Sequence, residues 1–257
     1  MLILLVLLSC EKVIELPLKG NEPKYVIEGM VTNEPGVCKV RLTQSVNFSN
    51  SNEFPTVSGA VVKVKDNGVE SVLTETGPGL YSTSAINGTP GHTYELVVTV
   101  NGKTFTASST IPQPVHLDSL YIATGPFGLF KFPVVTYTDP ASVNNGYLFV
   151  QYVNGIRDPA IFWEDDELND GETVSTLLDS GIDKKDDPRA IRSGDSVLVE
   201  MQGIDEAILK FWYTLRTSGG SGNGNMLIPS NPLTNIQGGA LGYFSAHTVD
   251  RRMVIAP

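Results

Sequence analysis

Carboxylates are concentrated in residues 163–172, where six of ten side chains are acidic. Oxygen ligands at such density are typical of Ca²⁺ sites, and the candidate ligands are Asp165, Glu167 and Asp170. EF-hand spacing counted from Asp165 fails, because Asp170 stands where glycine is required and Thr176 where a bidentate glutamate is required. We therefore interpret the segment as a solvated acidic loop and predict no metal or other non-covalent cofactor. A Ca²⁺ site is the alternative.

Other residue types that support catalysis are scattered. None of the three histidines, His92, His116 and His247, has a histidine or cysteine partner at metal-ligand spacing. A G-x-S-x-G nucleophile motif is absent from the sequence. The glycine-rich residues 219–224 lack the Lys-Ser/Thr ending of a phosphate loop. We expect no enzymatic activity, and a hydrolase whose Ser-His-Asp site forms only in space is kept as a reserve alternative.

Cys10 follows an apolar run, LILLVLL, and the small residue Ser9. The run is shorter than the roughly 20 residues that span a bilayer, but it suits the core of a signal peptide. The segment LLSC resembles the lipobox of bacterial lipoproteins, in which the cysteine thiol takes a diacylglycerol and the new amine takes an acyl chain. We expect residues 1–9 to be a signal peptide and Cys10 to carry the lipid. A buried first strand with an incidental cysteine is the alternative.

Two or more acyl chains would hold the protein stably on a membrane, since each buried CH₂ contributes about 0.8 kcal/mol. Residues 10–23 would then be the lipidated cysteine and a short tether. Cys38 would be the single remaining cysteine, which excludes an internal disulfide. Its alternation with Val40 and Leu42 predicts a buried, inert thiol.

The net charge of −10 argues against nucleic acid as a partner, because phosphates would be repelled. The charge is uneven: residues 11–112 hold 8 basic and 10 acidic side chains, whereas residues 113–257 hold 10 basic and 18 acidic ones. This change coincides with the stiff Pro-Gln-Pro segment at residues 112–114. We therefore predict two domains, at residues 24–112 and 113–257.

The first domain contains seven short alternating stretches between Tyr25 and Ser109, separated by turn residues. Asn101 and Gly102 lie between the last two stretches and predict a type I′ hairpin, since both central positions of that turn need positive φ. Seven strands in about 90 residues predict an immunoglobulin-like β-sandwich.

The second domain is predicted to be β-rich with one amphipathic helix. The helix should cover about 204–217, where apolar residues recur at helical spacing: Ile204, Ile208, Phe211, Trp212 and Leu215. We interpret this stripe as core packing against a sheet. Two closing strands are predicted at residues 241–247 and 252–255.

Two family resemblances follow from longer segments. SGAVVKVKDNG, TETGPGLYSTS and GTPGHTYELVVTVNGKTFTAS resemble the transthyretin-like or carboxypeptidase-regulatory-like sandwich, in which Tyr81 and Tyr94 would cap the core. CEKVIEL, EPKYVIEGMVTNEPG and NPLTNIQGGALGYFSAHTVDRRMVI resemble the DUF4249 lipoproteins of Bacteroidota, whose function is unassigned. The resemblance implies an outer-membrane setting beside TonB-dependent receptors, on the periplasmic or the cell-surface side, and supplies no catalytic residues.

Two functions are expected from these observations. The first is a binding or accessory lipoprotein beside a TonB-dependent nutrient-uptake system or another outer-membrane protein. The second is a structural or adhesive surface module without a transport role. Two long polar loops, at residues 47–54 and 223–235, offer contact surfaces with Phe48, Phe54 and Met226 as apolar anchors. The first of these loops could equally be a passive crossover, which is the favoured interpretation.

Overall fold

The computed structural model describes residues 22–46, 53–167, 169–182, 184, 186–218 and 231–257. All seven strands predicted for the first half are present. They are β1 Tyr25–Thr32, β2 Cys38–Gln44, β3 Val61–Asp66, β4 Val69–Gly77, β5 Leu80–Thr83, β6 Thr93–Val100 and β7 Lys103–Thr110. In β6 the buried positions alternate with more exposed ones, as expected for a strand with one face on a core.

The second half adds seven strands, a 3-10 turn at Pro126–Gly128 and one α-helix within the described residues. The elements are β8 Leu117–Thr124, β9 Lys131–Thr138, β10 Gly146–Val153, β11 Ile156–Asp165, β12 Thr173–Leu177, β13 Ser196–Ile204, α1 Glu206–Ser218 and β14 Leu241–Ile255. The predicted mainly-β fold with one helix is confirmed. Strand β12 was not predicted, and the two predicted closing strands are one strand of 15 residues.

Strand pairing forms one sheet of 11 strands, in the order β11-β10-β13-β14-β1-β2-β5-β4-β3-β6-β7, and a second sheet in the order β12-β9-β8. Strand β4 pairs with both β5 and β3, so the long sheet turns back on itself there. Residues of β1 and β2 on one side and of β6 and β7 on the other then share one core. We call this arrangement the first sandwich.

Strand β14 connects the two halves of the chain. It pairs in parallel with β1 and antiparallel with β13. Phe244 and Ala246, at its beginning, are fully buried in the core of the first sandwich, together with the preceding Ile236. The predicted division at residues 112–113 stays a prediction, but the core of the first half includes side chains from the end of the chain.

The second sandwich consists of β8, β9 and β12 packed against β10 and β13. Its core contains Tyr137, Phe149 and Val199, all of them at most 1% exposed. Residues on the opposite face of β10, such as Leu148, pack instead against Ile208 of α1. Because both faces of β10 are covered, nearly all of its residues are buried.

Helix α1 begins two residues later than predicted because Asp205 is its N-cap. The Asp205 carboxylate accepts a hydrogen bond from the amide of Ile208 at 3.0 Å. Its other oxygen accepts from Ser109 Oγ at 2.6 Å and from the Thr110 amide at 3.1 Å, so the cap also joins the two halves of the chain. Leu215, which belongs to the predicted apolar stripe, is 41% exposed.

Several smaller predictions for the first sandwich are confirmed. Asn101 and Gly102 have φ of 48° and 74° in the β6–β7 hairpin. Tyr81 and Tyr94 are buried in the core, and each hydroxyl accepts a backbone amide hydrogen bond. Cys38 is fully buried, and burial raises the pKa of its thiol to about 12. No helix in the described part of the chain combines the length and the hydrophobicity needed to cross a membrane.

Candidate functional site

A pocket of about 310 Å³ opens in the second sandwich between β9 and β10. Its walls come from residues 129–133, residues 178–182 after β12, and residues 189–192 before β13. Gln151 of β10 also lines it. The volume lies at the lower end of the range for small-molecule sites. We call this cavity the β9–β10 pocket.

The two-residue period of β10 brings Gln151 to the pocket. Tyr147 and Phe149 point into the core between the two sheets, and Gln151 is the next residue on that face. The Gln151 side chain is 1% exposed, yet its Oε1 has no hydrogen-bond partner. A polar side chain therefore stands at an interior position where its neighbours on the same face are aromatic.

The walls of the pocket are mainly apolar. Their apolar residues are Leu129, Phe130, Phe132, Pro133, Leu178, Ile182, Ala190 and Ile191. Leu178 is 1% exposed and fixes the chain after β12, because its amide donates a hydrogen bond to the Pro133 carbonyl at 2.9 Å. The wall formed by residues 178–182 is thus anchored to β9.

Two more buried polar atoms lie at or near the pocket without a partner. Ser180 Oγ is one, and Ser180 lines the pocket. Asp158 Oδ2 is the other; this residue is 1% exposed, and its Oδ1 accepts a hydrogen bond from the Ala160 amide at 2.8 Å. An unpaired buried polar group costs about 1–3 kcal/mol, so such groups are usually satisfied in folded proteins. Gln151 and Ser180 line the pocket, so a molecule bound there would supply partners for Gln151 Oε1 and Ser180 Oγ.

Cationic side chains surround the opening. Lys131, Arg189 and Arg192 line it against one acidic residue, Asp179, although the chain as a whole has a net charge of −10. Arg189 is held by a bidentate contact with Asp187, at 3.0 Å from Nε and 2.7 Å from Nη2. These hydrogen bonds lower the pKa of Asp187 to about 2.

The remaining contacts of these cations keep them in place. Arg189 Nη1 lies 3.7 Å from Asp158 Oδ1. Arg192 Nη2 donates to the Asp187 carbonyl at 3.2 Å, and Lys131 Nζ donates to the Pro257 carbonyl. The opening therefore has three cations in fixed positions around an apolar interior, and Arg189 among them is already paired with Asp187.

The lining residues offer apolar surface and a few polar groups. Ser180 is the one hydroxyl nucleophile among the lining residues, and within the described structure its Oγ has no base beside it. An apolar volume with a few placed polar groups is instead typical of a site for reversible recognition of a small molecule.

The contact residues predicted from the sequence are not part of this pocket. Cys10, Phe48 and Met226 lie outside the described residues. Phe54 is 56% exposed and precedes Thr56, which forms an isolated bridge with Thr43. The role predicted for these loops stays a prediction.

Two of the three acidic residues considered for Ca²⁺, Asp165 and Asp170, bind backbone amides. Asp165 Oδ1 accepts from the Glu167 amide at 3.4 Å, and Asp170 Oδ1 accepts from the Ser142 amide at 2.5 Å. Across the described ranges, no group of three or more His, Cys, Asp or Glu side chains is placed to hold a metal ion. The solvated acidic loop therefore stays a prediction, with a Ca²⁺ site as its alternative.

The histidines lie in three separate places. His92 Nδ1 is 2.8 Å from Asp66 Oδ1, and His116 is exposed beside Asp250. His247 is 4% exposed, its Nδ1 lies 2.9 Å from Ser245 Oγ, and burial lowers its pKa to about 4. The structure does not bring the three together.

Sequence reasoning missed the residues that line the β9–β10 pocket. One signal was available, because Gln151 interrupts the apolar run YLFVQYV at a position on the face shared by Tyr147 and Phe149. Ser180 and Arg189 lie in an irregular segment without periodicity, so their meeting with Gln151 depends on tertiary structure.

A family model described as "Domain of unknown function (DUF4249)" matches residues 11–253 of the chain. The comparison with curated proteins found no match. The match includes every residue that lines the β9–β10 pocket.

Proposed function

Because the chain belongs to the DUF4249 family, we propose that it is a non-enzymatic outer-membrane lipoprotein of Bacteroidota. Its role is to bind a small molecule beside a TonB-dependent nutrient-uptake system. The lipid on Cys10 holds it at the membrane. The first sandwich, with the buried Tyr81 and Tyr94, corresponds to the transthyretin-like module that the sequence resembles.

The observation that carries this proposal is the buried Oε1 of Gln151, which has no hydrogen-bond partner, at the β9–β10 pocket. A folded protein that leaves such a group unpaired loses stability unless a ligand supplies the partner. The anchored loop at Leu178 and the ion pair between Arg189 and Asp187 hold the pocket in shape without a ligand. Preformed sites lose less entropy on binding, which favours a binding role.

Blocking the pocket tests the proposal. Ala190 is 8% exposed and lines the pocket, so Ala190→Phe would fill it. Ala207, exposed on α1, provides the matched control Ala207→Phe. On the nutrient for which deletion of the gene slows growth, we expect Ala190→Phe to grow like the deletion strain and Ala207→Phe to grow like wild type.

Two checks make the result decisive. Melting temperatures and membrane levels of the variants show whether they fold and reach the membrane, and the nearly isosteric Gln151→Met repeats the test without added volume. Wild-type growth of folded, membrane-bound Ala190→Phe and Gln151→Met would refute the binding role. A deletion strain that changes only attachment or envelope integrity would instead support the structural or adhesive module.

A further inference from the structure

Among the residues that line the β9–β10 pocket, cations outnumber acids, although Asp187 and Asp158 lie beside Arg189. Three cations line the opening against Asp179, while the chain carries 28 acidic and 18 basic side chains. The bidentate contact with Asp187 fixes the guanidinium of Arg189 at the rim. Asp187 occupies the Nε and Nη2 donors, so a ligand carboxylate would meet the Nη1 side of the guanidinium, whose five N–H donors suit contacts with two carboxylates.

The interior of the pocket requires a different group. Gln151 contributes a carbonyl oxygen without a partner, and Ser180 contributes a hydroxyl that can donate or accept. Their surroundings are apolar, with Phe132 and Pro133 on β9 and Ile191 opposite in the chain that leads to β13. The interior therefore suits an apolar body that carries one hydrogen-bond donor.

From these features we infer that the pocket binds a small amphipathic anion. Its carboxylate lies at the rim beside Arg189 and Arg192, its apolar body fills the cavity, and a hydroxyl donates to Gln151 Oε1. This inference rests on the proposed binding function and specifies its ligand class. The volume of about 310 Å³ limits the ligand to roughly one ring or a short branched chain.

Three related probes test each part of this inference by isothermal titration and NMR titration of the intact soluble protein. 4-Hydroxyphenylacetate has the ring, the hydroxyl and the carboxylate. Phenylacetate lacks the hydroxyl, and tyramine replaces the carboxylate with an ammonium group. We expect 4-hydroxyphenylacetate to bind at least about tenfold more tightly than tyramine and about fivefold more tightly than phenylacetate.

The variant Gln151→Met separates the two preferences. It should abolish the preference for the hydroxylated probe over phenylacetate and keep the preference over tyramine. It should also raise the melting temperature of the ligand-free protein by about 2–4 °C, because the unpaired buried Oε1 is removed. The exposed Gln113 gives the control Gln113→Met, which should leave both preferences and the melting temperature unchanged.

The outcomes distinguish the ligand class from the proposed function. If tyramine bound more tightly than 4-hydroxyphenylacetate, the ligand would not be an anion, although the pocket would still be a binding site. A hydroxyl preference that persists in Gln151→Met would overturn the role of Gln151. Absence of binding for all three probes at millimolar concentration would overturn this inference, whereas small-molecule binding at the pocket is decided by the growth of the Ala190→Phe strain.

Discussion

At the scale of single residues, Gly242 in β14 occupies a position that only glycine fits without strain. Gly242 has φ of +95°, and a Cβ there would lie 2.0 Å from the Ile27 carbonyl oxygen on the paired strand β1. Gly239 has a similar φ of +87°, but no atom lies within 4 Å of its Cβ position. The two glycines thus share the backbone requirement and differ in the close approach.

This difference predicts unequal effects of alanine. Gly242→Ala should lower the melting temperature by at least about 5 °C more than Gly239→Ala, since it adds a backbone clash to the cost of positive φ. Thermal melts followed by circular dichroism measure the effect. Equal losses in the two variants would show that β1 and β14 do not approach as closely as described.

A second residue-scale prediction concerns His247. Its pKa is lowered from 6.5 to about 4 by burial, which outweighs the opposite influence of the nearby Glu200 and Glu34; Arg251 also lowers it. The unfolded chain takes up a proton near pH 6.5, whereas the folded protein resists it until about pH 4. Stability should therefore be complete above pH 6.5 and fall by roughly 3 kcal/mol as the pH drops to 4.

Urea unfolding between pH 7 and pH 5 measures this dependence. The hydrogen bond to Arg251 is the chief cause that lowers the pKa of Glu34. Glu34 therefore gains its proton below the pH range of this measurement. His247→Gln should flatten the slope, and His116→Gln should not, because the His116 side chain is 77% exposed. A wild-type slope in His247→Gln would assign the acid sensitivity to another group.

At the scale of elements, β14 determines which part of the chain can fold alone. The first sandwich takes Phe244 and Ala246 from it, and Asn235 Nδ2 donates to the Ser108 carbonyl at 3.1 Å. We expect residues 22–112 alone to show no cooperative thermal unfolding. The same segment joined by a flexible Gly-Ser linker to residues 231–248 should unfold cooperatively. Cooperative unfolding of residues 22–112 alone would instead establish an autonomous domain at the predicted boundary.

The sequence predicted the positions of the strands better than it predicted which strands pair. Alternation located β1 and β6 with their observed limits, because each has one face on a core and one toward solvent. The same alternation predicted two strands where β14 is one, because polar residues follow His247. Those residues pair with β13 in a continuous register. Strand β12 has no fully buried residue, so its pairing with β9 leaves little hydrophobic pattern to detect.

The candidate site was less predictable than the fold for a related reason. Gln151 was detectable as a polar interruption of an apolar strand, but Arg189 and Ser180 come from a segment that only the second sandwich holds against β9. A resemblance to a family without an assigned function could not supply these residues. Binding sites formed by irregular segments depend on tertiary contacts, which strand periodicity does not encode.

At the scale of the whole molecule, the two cysteines allow a controlled test of the lipid anchor. Cys10 lies in the lipobox-like segment, whereas Cys38 is fully buried in the first sandwich and has a thiol whose pKa is raised by burial. In cells fed radiolabelled palmitate, we expect label in the wild type and in Cys38→Ala, and none in Cys10→Ser. Cys10→Ser should also leave the membrane fraction, because about 0.8 kcal/mol per buried CH₂ is lost with the acyl chains. Retention of label in Cys10→Ser would place the lipid on another residue, whereas wild-type protein without label would overturn the lipid anchor and leave a protein that binds its ligand without one.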